Sequence, residues 1–312
     1  MLSVCSPRKR FFTNMASSDR TRLGGLAAMT AYVSWGLFPI YFKTLSAVVP
    51  IDVIAWRIVL SFFVLIVLVI FWIKPEGILK PFTSARQMGL LIGSAILLSV
   101  NWYTFVYAIE SNQVMQSSLG YFLVPIFSVG LGCLVFKERP NRFKLVAIIV
   151  ACVGMCITFF VAGLLPWISL LLGFTFGIYG MFKKMAEYGS AVGLLLETAI
   201  LMPIAIVFLG LVAEPIAGYS GTTLVFLSLL GLITVLPLLC MVFAARHIPL
   251  SSLGMFQYIT PCMHLGLAIL VYQEPLDTAR LIALVTTLLA VSFWLLGNVR
   301  DASSSVKKLG AY

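Results

Sequence analysis

The spacing of charged residues restricts this chain more than any other feature. Runs free of Asp, Glu, Lys and Arg cover residues 23–42, 87–109, 111–136, 145–182, 215–245, 247–273 and 281–299, while 53–73 and 188–213 are each interrupted by one charge. A charge at the bilayer centre costs roughly 2.5–3.5 kcal/mol on insertion scales, so such runs mark membrane-spanning helices. At about 1.5 Å of rise per residue, the 145–182 run is nearly twice the hydrocarbon thickness of about 30 Å. It is expected to fold back at Gly163-Leu164-Leu165-Pro166. The reading is an all-α integral membrane protein whose ten spans lie near 23–44, 51–73, 86–109, 113–135, 143–161, 165–183, 190–212, 222–245, 249–272 and 279–298.

Lys and Arg should collect on alternate loops if the crossings are assigned correctly. Of the 21 Lys and Arg residues, Arg57 lies within a span, and only Lys43 and Arg280 fall opposite the N-terminal side. One missed or invented crossing would scramble that division, so both termini are expected in the cytoplasm. A composition of 61% hydrophobic and 10% charged residues, against roughly 45–50% and about 25% in soluble domains, excludes a water-soluble globule. The formal net charge of +10 sits in loops and tails, so nucleic acid is not an expected partner. The expected partners are a small-molecule substrate and the lipid bilayer, with a homodimer left open. Six cysteines show no spacing typical of zinc or redox sites, and no cofactor or metal is expected. The first apolar run is too long for a signal-peptide core and should remain as a helix. Residues 1–14 read as a disordered tail, with Met15 as a second candidate start.

The chain also carries an internal repeat. Ser117-Ser118-Leu119-Gly120-Tyr121-Phe122 in the fourth span resembles Ser251-Ser252-Leu253-Gly254-Met255-Phe256 in the ninth. Pro125 precedes Glu138, and Pro261 precedes Glu274, by the same interval; Pro140 and Pro275 follow in the next loop. Gly36 and Lys43 are spaced as Gly177 and Lys184 are. Two five-helix repeats are indicated, at 23–161 and 165–298, flanked by cytoplasmic tails 1–22 and 299–312. Because five is odd, the second copy enters inverted, the arrangement that supports alternating access around a site near the midplane. The competing reading is a duplication kept for packing, and the Gly173/Gly177 GxxxG spacing certainly permits close helix contact.

Two ionised side chains interrupt the apolar spans: Arg57 in the second and Glu197 in the seventh, corresponding spans of the two halves. Intramembrane ions normally face a cavity or each other. Two readings follow: a permanent Arg57–Glu197 pair holding the halves together, or a substrate site in which Arg57 takes a carboxylate and Glu197 an ammonium or a proton. Asn101, Trp102, Tyr121, Gln257 and Tyr258 cluster around the repeat signature as further candidate substrate-binding residues. Aromatics can line a pocket while amide and phenol groups orient a solute; an interhelical hydrogen bond is the plain alternative for either amide. Trp35, Pro39, Gly120, Pro125, Gly254 and Pro261 are candidate structural or gating positions. Proline breaks the backbone ladder and frees a carbonyl, which then binds a solute or relaxes into a kink.

Together, Trp35-Gly36 with Pro39, Tyr41-Phe42-Lys43, Arg57 followed by Ser61-Phe62-Phe63, Asn101-Trp102, Ser118-Leu119-Gly120-Tyr121-Phe122 with Pro125, Glu197 with Pro203, Pro237-Leu238-Leu239-Cys240 and Phe256-Gln257-Tyr258 carry a family resemblance. Over about residues 23–298 the chain resembles the RarD branch of the EamA family, in the drug/metabolite transporter superfamily. The resemblance implies ten helices in two inverted repeats and a bacterial inner-membrane location. Members of that branch carry the label of chloramphenicol-sensitivity proteins or permeases. The basic start before Met15 departs from the family's short N-terminus.

The expected function is therefore a secondary transporter that exports a small metabolite or amphipathic drug by alternating access. ATP hydrolysis is not expected without a Walker-type loop. An enzyme would need clustered catalytic groups, yet there are two histidines, no HExxH and no aspartate deep in a span. The alternative is a non-transporting membrane receptor or assembly partner, although short loops give it little surface.

Overall fold

The computed structural model describes residues 17–73, 78–137, 141–162, 165–248 and 256–309, and among these every regular element is helical. The α-helices are α1 (Ser17–Gly36), α2 (Phe38–Lys43), α3 (Pro50–Leu68), α4 (Ala85–Glu110), α5 (Val114–Phe136), α6 (Arg142–Ala162), α7 (Trp167–Met185), α8 (Ser190–Leu211), α9 (Gly221–His247), α10 (Ile259–Leu270) and α11 (Thr278–Leu309). Their starts follow local chemistry. Ser84 and Ser220 accept hydrogen bonds from the Gln87 and Thr223 amides at 3.2 and 3.1 Å, satisfying first-turn donors. Pro50, whose missing N–H costs nothing there, opens α3.

Among the described residues, five stretches are long and apolar enough to cross a bilayer: Thr21–Lys43, Pro50–Phe71, Ala85–Glu110, Ala191–Leu211 and Gly221–Met241; Val114–Val124, Ile259–Leu270 and Leu281–Gly297 are shorter apolar stretches. Leu134, Phe160 and Leu211 are 80%, 80% and 81% exposed. Large apolar side chains outward on this scale suit a lipid solvent rather than water.

Several boundaries depart from expectation. The first span is broken at Leu37, two residues before Pro39, because a proline ring clashes with the carbonyl four residues back. α11 runs past 298 to Leu309, so most of the expected tail 299–312 is helical; no Gly or Pro intervenes before Gly310 to stop it. α10 begins only at Ile259, after a turn at Gln257-Tyr258. The two signatures explain that turn: Ser117 to Pro125 is two residues shorter than Ser251 to Pro261, and the surplus falls where the helix is interrupted. Gly254, Glu138, Pro140, Gly163 and Leu164 lie outside the described residues.

Packing partners recur in matched sets. α6 packs on α11, α3 on α8 and α5 on α10; α5 with α7 matches α10 with α1, and α4 with α7 matches α9 with α1. α4 with α8 likewise matches α3 with α9. Lys137 after α5 and Gln273 after α10 both adopt left-handed φ, 54° and 49°, each just before the glutamate of its repeat. Close helix approach rests on glycine at the α5–α7 crossing. A Cβ at Gly120 would lie 2.9 Å from Leu172 Cβ, and one at Gly173 would lie 3.0 Å from the Gly120 carbonyl.

One end of the bundle is laced by polar ties. Lys43 Nζ donates to Asn112 Oδ1 at 2.7 Å and to the Ile109 carbonyl at 3.3 Å. Asp52 Oδ2 accepts from Tyr219 Oη at 3.1 Å and from the Glu214 amide at 3.2 Å. The buried Glu274 carboxylate accepts the Val114 amide and, at 3.0 Å, the Met115 amide, capping α5. The Tyr41 hydroxyl donates to the Phe226 carbonyl nearby. At the opposite end Glu187 meets Gln87 and Lys80, and Asn141 donates to the Gly297 carbonyl at 2.8 Å.

Candidate cavity among the helices

The site grows from the break between α1 and α2. Pro39 has no N–H to offer the Trp35 carbonyl, and that freed acceptor takes a hydrogen bond from His264 Nε2 of α10 at 3.1 Å. This fixes the imidazole with its proton on Nε2, while Nδ1 is buried with no hydrogen-bond partner. Two further links bind the same helices: Thr260 Oγ1 donates to the Tyr32 carbonyl at 2.8 Å, and Ser118 Oγ to the Pro261 carbonyl at 2.7 Å.

Between these helices lies a cavity of about 360 Å³, within the usual range for small-molecule sites. α3 brings Arg57 into its wall at 4% exposure. Nε donates to Thr234 Oγ1 of α9 at 3.0 Å, and the guanidinium carbon lies 3.9 Å over the Trp102 ring of α4. Phe42 and Phe38 of α2 add ring contacts at 5.5 and 5.8 Å. Such cation–π contacts offset part of the cost of removing a charge from water.

The Arg57–Glu197 pair is not formed. Glu197, fully buried, instead receives Lys183 Nζ of α7 in an ion pair, and Tyr179 Oη donates to its other oxygen at 3.3 Å. Arg57 and Glu197 enter from opposite ends of the bundle, each about two turns into its helix, whereas Tyr179 and Lys183, one turn apart on α7, both reach Glu197, so this nearer cation takes the carboxylate. Lys183, counted in the sequence as a loop charge, lines the cavity with Tyr179. No ion pair to Arg57 exists among the described residues.

Arg57, Asn101, Trp102, Tyr121 and Gln257 line the cavity, as do Trp35 and Pro261. Asn101 is already engaged: its amide donates to the Leu172 carbonyl at 3.1 Å and to Thr175 Oγ1 at 3.0 Å, and its Oδ1 accepts Tyr121 Oη at 3.3 Å. Glu197 and Tyr258 are not part of the wall. Tyr258 stacks on Phe122, ring centroids 6.4 Å apart, with its buried hydroxyl unpartnered. Pro39 is buried in α2, Gly120 serves the α5–α7 crossing, and Pro125 lies within α5. The sequence reading missed Lys183, Tyr179, Thr234, Phe38, Phe105 and Phe176 as wall residues. The Tyr179–Lys183 spacing, one helical turn, was the available signal for the first two.

An all-helical bundle with lipid-suited sides and an internal, partly polar cavity defines a multi-pass membrane protein of transporter type. The EamA-like transporter family matches residues 22–160. The chain is 38% identical to the transporter YojE of Bacillus subtilis (strain 168), over 83% of this chain and 89% of that one. It is 36% identical to a Pseudomonas aeruginosa transporter over 95% and 99% of the two chains. Protein RarD of Escherichia coli (strain K12) is 32% identical over 90% and 97%. One solved crystal structure superposes with a TM-score of 0.56, covering 88% of this chain and 97% of its own at 15% identity, a likeness of fold alone. This chain belongs to the EamA-like transporter family, with RarD proteins among its relatives.

Proposed function

We propose that this chain is a secondary transporter of a small, amphipathic metabolite or drug. It works in a bacterial inner membrane with both termini in the cytoplasm, by alternating access of two inverted five-helix repeats around the Arg57 cavity. The observation that carries the reading is the asymmetry of that cavity. Its wall follows α7 to Lys183, α9 to Met241 and the turn before α10 at Gln257, toward the end to which the positive-inside rule assigns the cytoplasm. The other end is closed by the Lys43, Asp52 and Glu274 ties. This is the expected form of an inward-facing state. Exchange of the matched helix pairs between the repeats would transfer the closure to the opposite end.

The test is flux in proteoliposomes containing the purified chain, with a panel of labelled neutral, cationic and anionic amphipathic solutes and an imposed pH gradient. Saturable flux of at least one solute without ATP is expected. Absence of flux for the whole panel, with the protein folded, would refute transport and favour a receptor or assembly role.

A further inference from the structure

We infer that the cavity selects an organic monoanion with an aromatic or otherwise flat apolar body, its carboxylate seated on the Arg57 guanidinium. The inference rests on the transport reading and specifies its substrate class.

Arginine carries five N–H donors and cannot shed its charge in a protein. Arg57 is nine-tenths or more buried, uses one donor on Thr234 Oγ1, and has no carboxylate partner among the described residues. Trp102 covers one face of the guanidinium plane. The donors run along its edge, the geometry that grips a carboxylate with two parallel hydrogen bonds.

The remaining charge inventory gives the sign. Lys183 also lines the cavity, but its charge is closed by Glu197, which accepts from Tyr179 as well. The described wall therefore presents one open positive charge and no free carboxylate. An ammonium, whether on a cation or on a zwitterion, has no acceptor of opposite charge there. The walls supplied by Phe38, Phe105, Tyr121, Phe176 and Leu238 suit an apolar body.

Three probes of one shape test this: naphthalene-2-carboxylate, naphthalene-2-carboxamide and 2-naphthylmethylammonium, measured by equilibrium dialysis against the full chain in lipid nanodiscs. The carboxylate should bind about tenfold or more tighter than the amide, since a site built around a charged hydrogen bond rejects an analogue lacking it. The ammonium should bind weakest. Arg57→Gln should erase the acid–amide difference and Arg57→Lys should keep part of it; the ranking in the unaltered chain decides even if a variant fails to fold. Equal or tighter binding of the amide or ammonium, or no carboxylate binding at millimolar concentration, overturns the inference. Proteoliposomes separate the two readings. If the carboxylate binds with this ranking but nothing in the panel is moved, transport fails while the anion site stands. If the amide or ammonium is moved and the carboxylate is not, transport stands and the anion site falls.

Discussion

Glu197 shows how much rests on one side chain. It is fully buried, and Lys183, with its side chain 14% exposed, is the cation that compensates it. Removing one member of a buried pair leaves an uncompensated charge, at a cost of about 3–5 kcal/mol, whereas removing both in favour of apolar groups is often neutral. Lys183→Met should therefore lower unfolding stability by about 3–5 kcal/mol, and Lys183→Met with Glu197→Leu should recover most of that loss. Denaturant titration in detergent micelles measures both; a single variant as stable as the parent would refute the role of the pair. Trp102→Leu should cost about 1–2 kcal/mol by removing the ring under the Arg57 cation. The intramembrane charges could be read as notable from composition, but their partners could not. Arg57 and Glu197 each sit about two turns into corresponding spans but from opposite ends of the bundle, so axial offset and the rotation of each helix together decide which cation a carboxylate meets.

Helix ends and crossings hold the elements in place. Pro39 leaves the Trp35 carbonyl to His264, so Pro39→Ala returns an N–H that competes for that acceptor. The expected result is a straighter first helix and weaker α1–α10 contact, detectable as faster hydrogen exchange around residues 259–264. Unchanged exchange would contradict the link. Gly154 is a second crossing with no spare room: a Cβ there would lie 2.2 Å from Thr286 Oγ1 on α11. Gly154→Val should cost about 1–3 kcal/mol through overpacking, read as lost folded yield by size-exclusion chromatography; normal yield would deny a tight α6–α11 contact. Charge spacing made the helical stretches legible because a bilayer penalises charge at any rotation of the helix. The break at Gln257-Tyr258 was hidden in an offset of two residues between signatures, and the α11 extension in a tail whose polarity disguised its lack of helix breakers.

For the molecule as a whole, the matched packing partners and the paired left-handed residues Lys137 and Gln273 support two related halves. Inversion follows if each half holds five crossings, and it makes the two ends of the bundle exchangeable. In the proposed alternating-access cycle, the two hydrogen bonds from the α5 amides to the Glu274 carboxylate would open as the cavity turns outward. Glu274→Gln keeps the shape and loses the charge, so it should shift the population toward the outward state. Labelling of a cysteine placed at the exposed Leu276 should then rise relative to the parent. The decisive measurement is paired labelling in intact cells, with single cysteines at Lys137 and at Leu276 in an otherwise cysteine-free chain and a membrane-impermeant maleimide. Leu276→Cys should react from outside, and Lys137→Cys only after the membrane is permeabilised. Equal reactivity of the two would place the loops after α5 and α10 on one side and contradict the inverted halves.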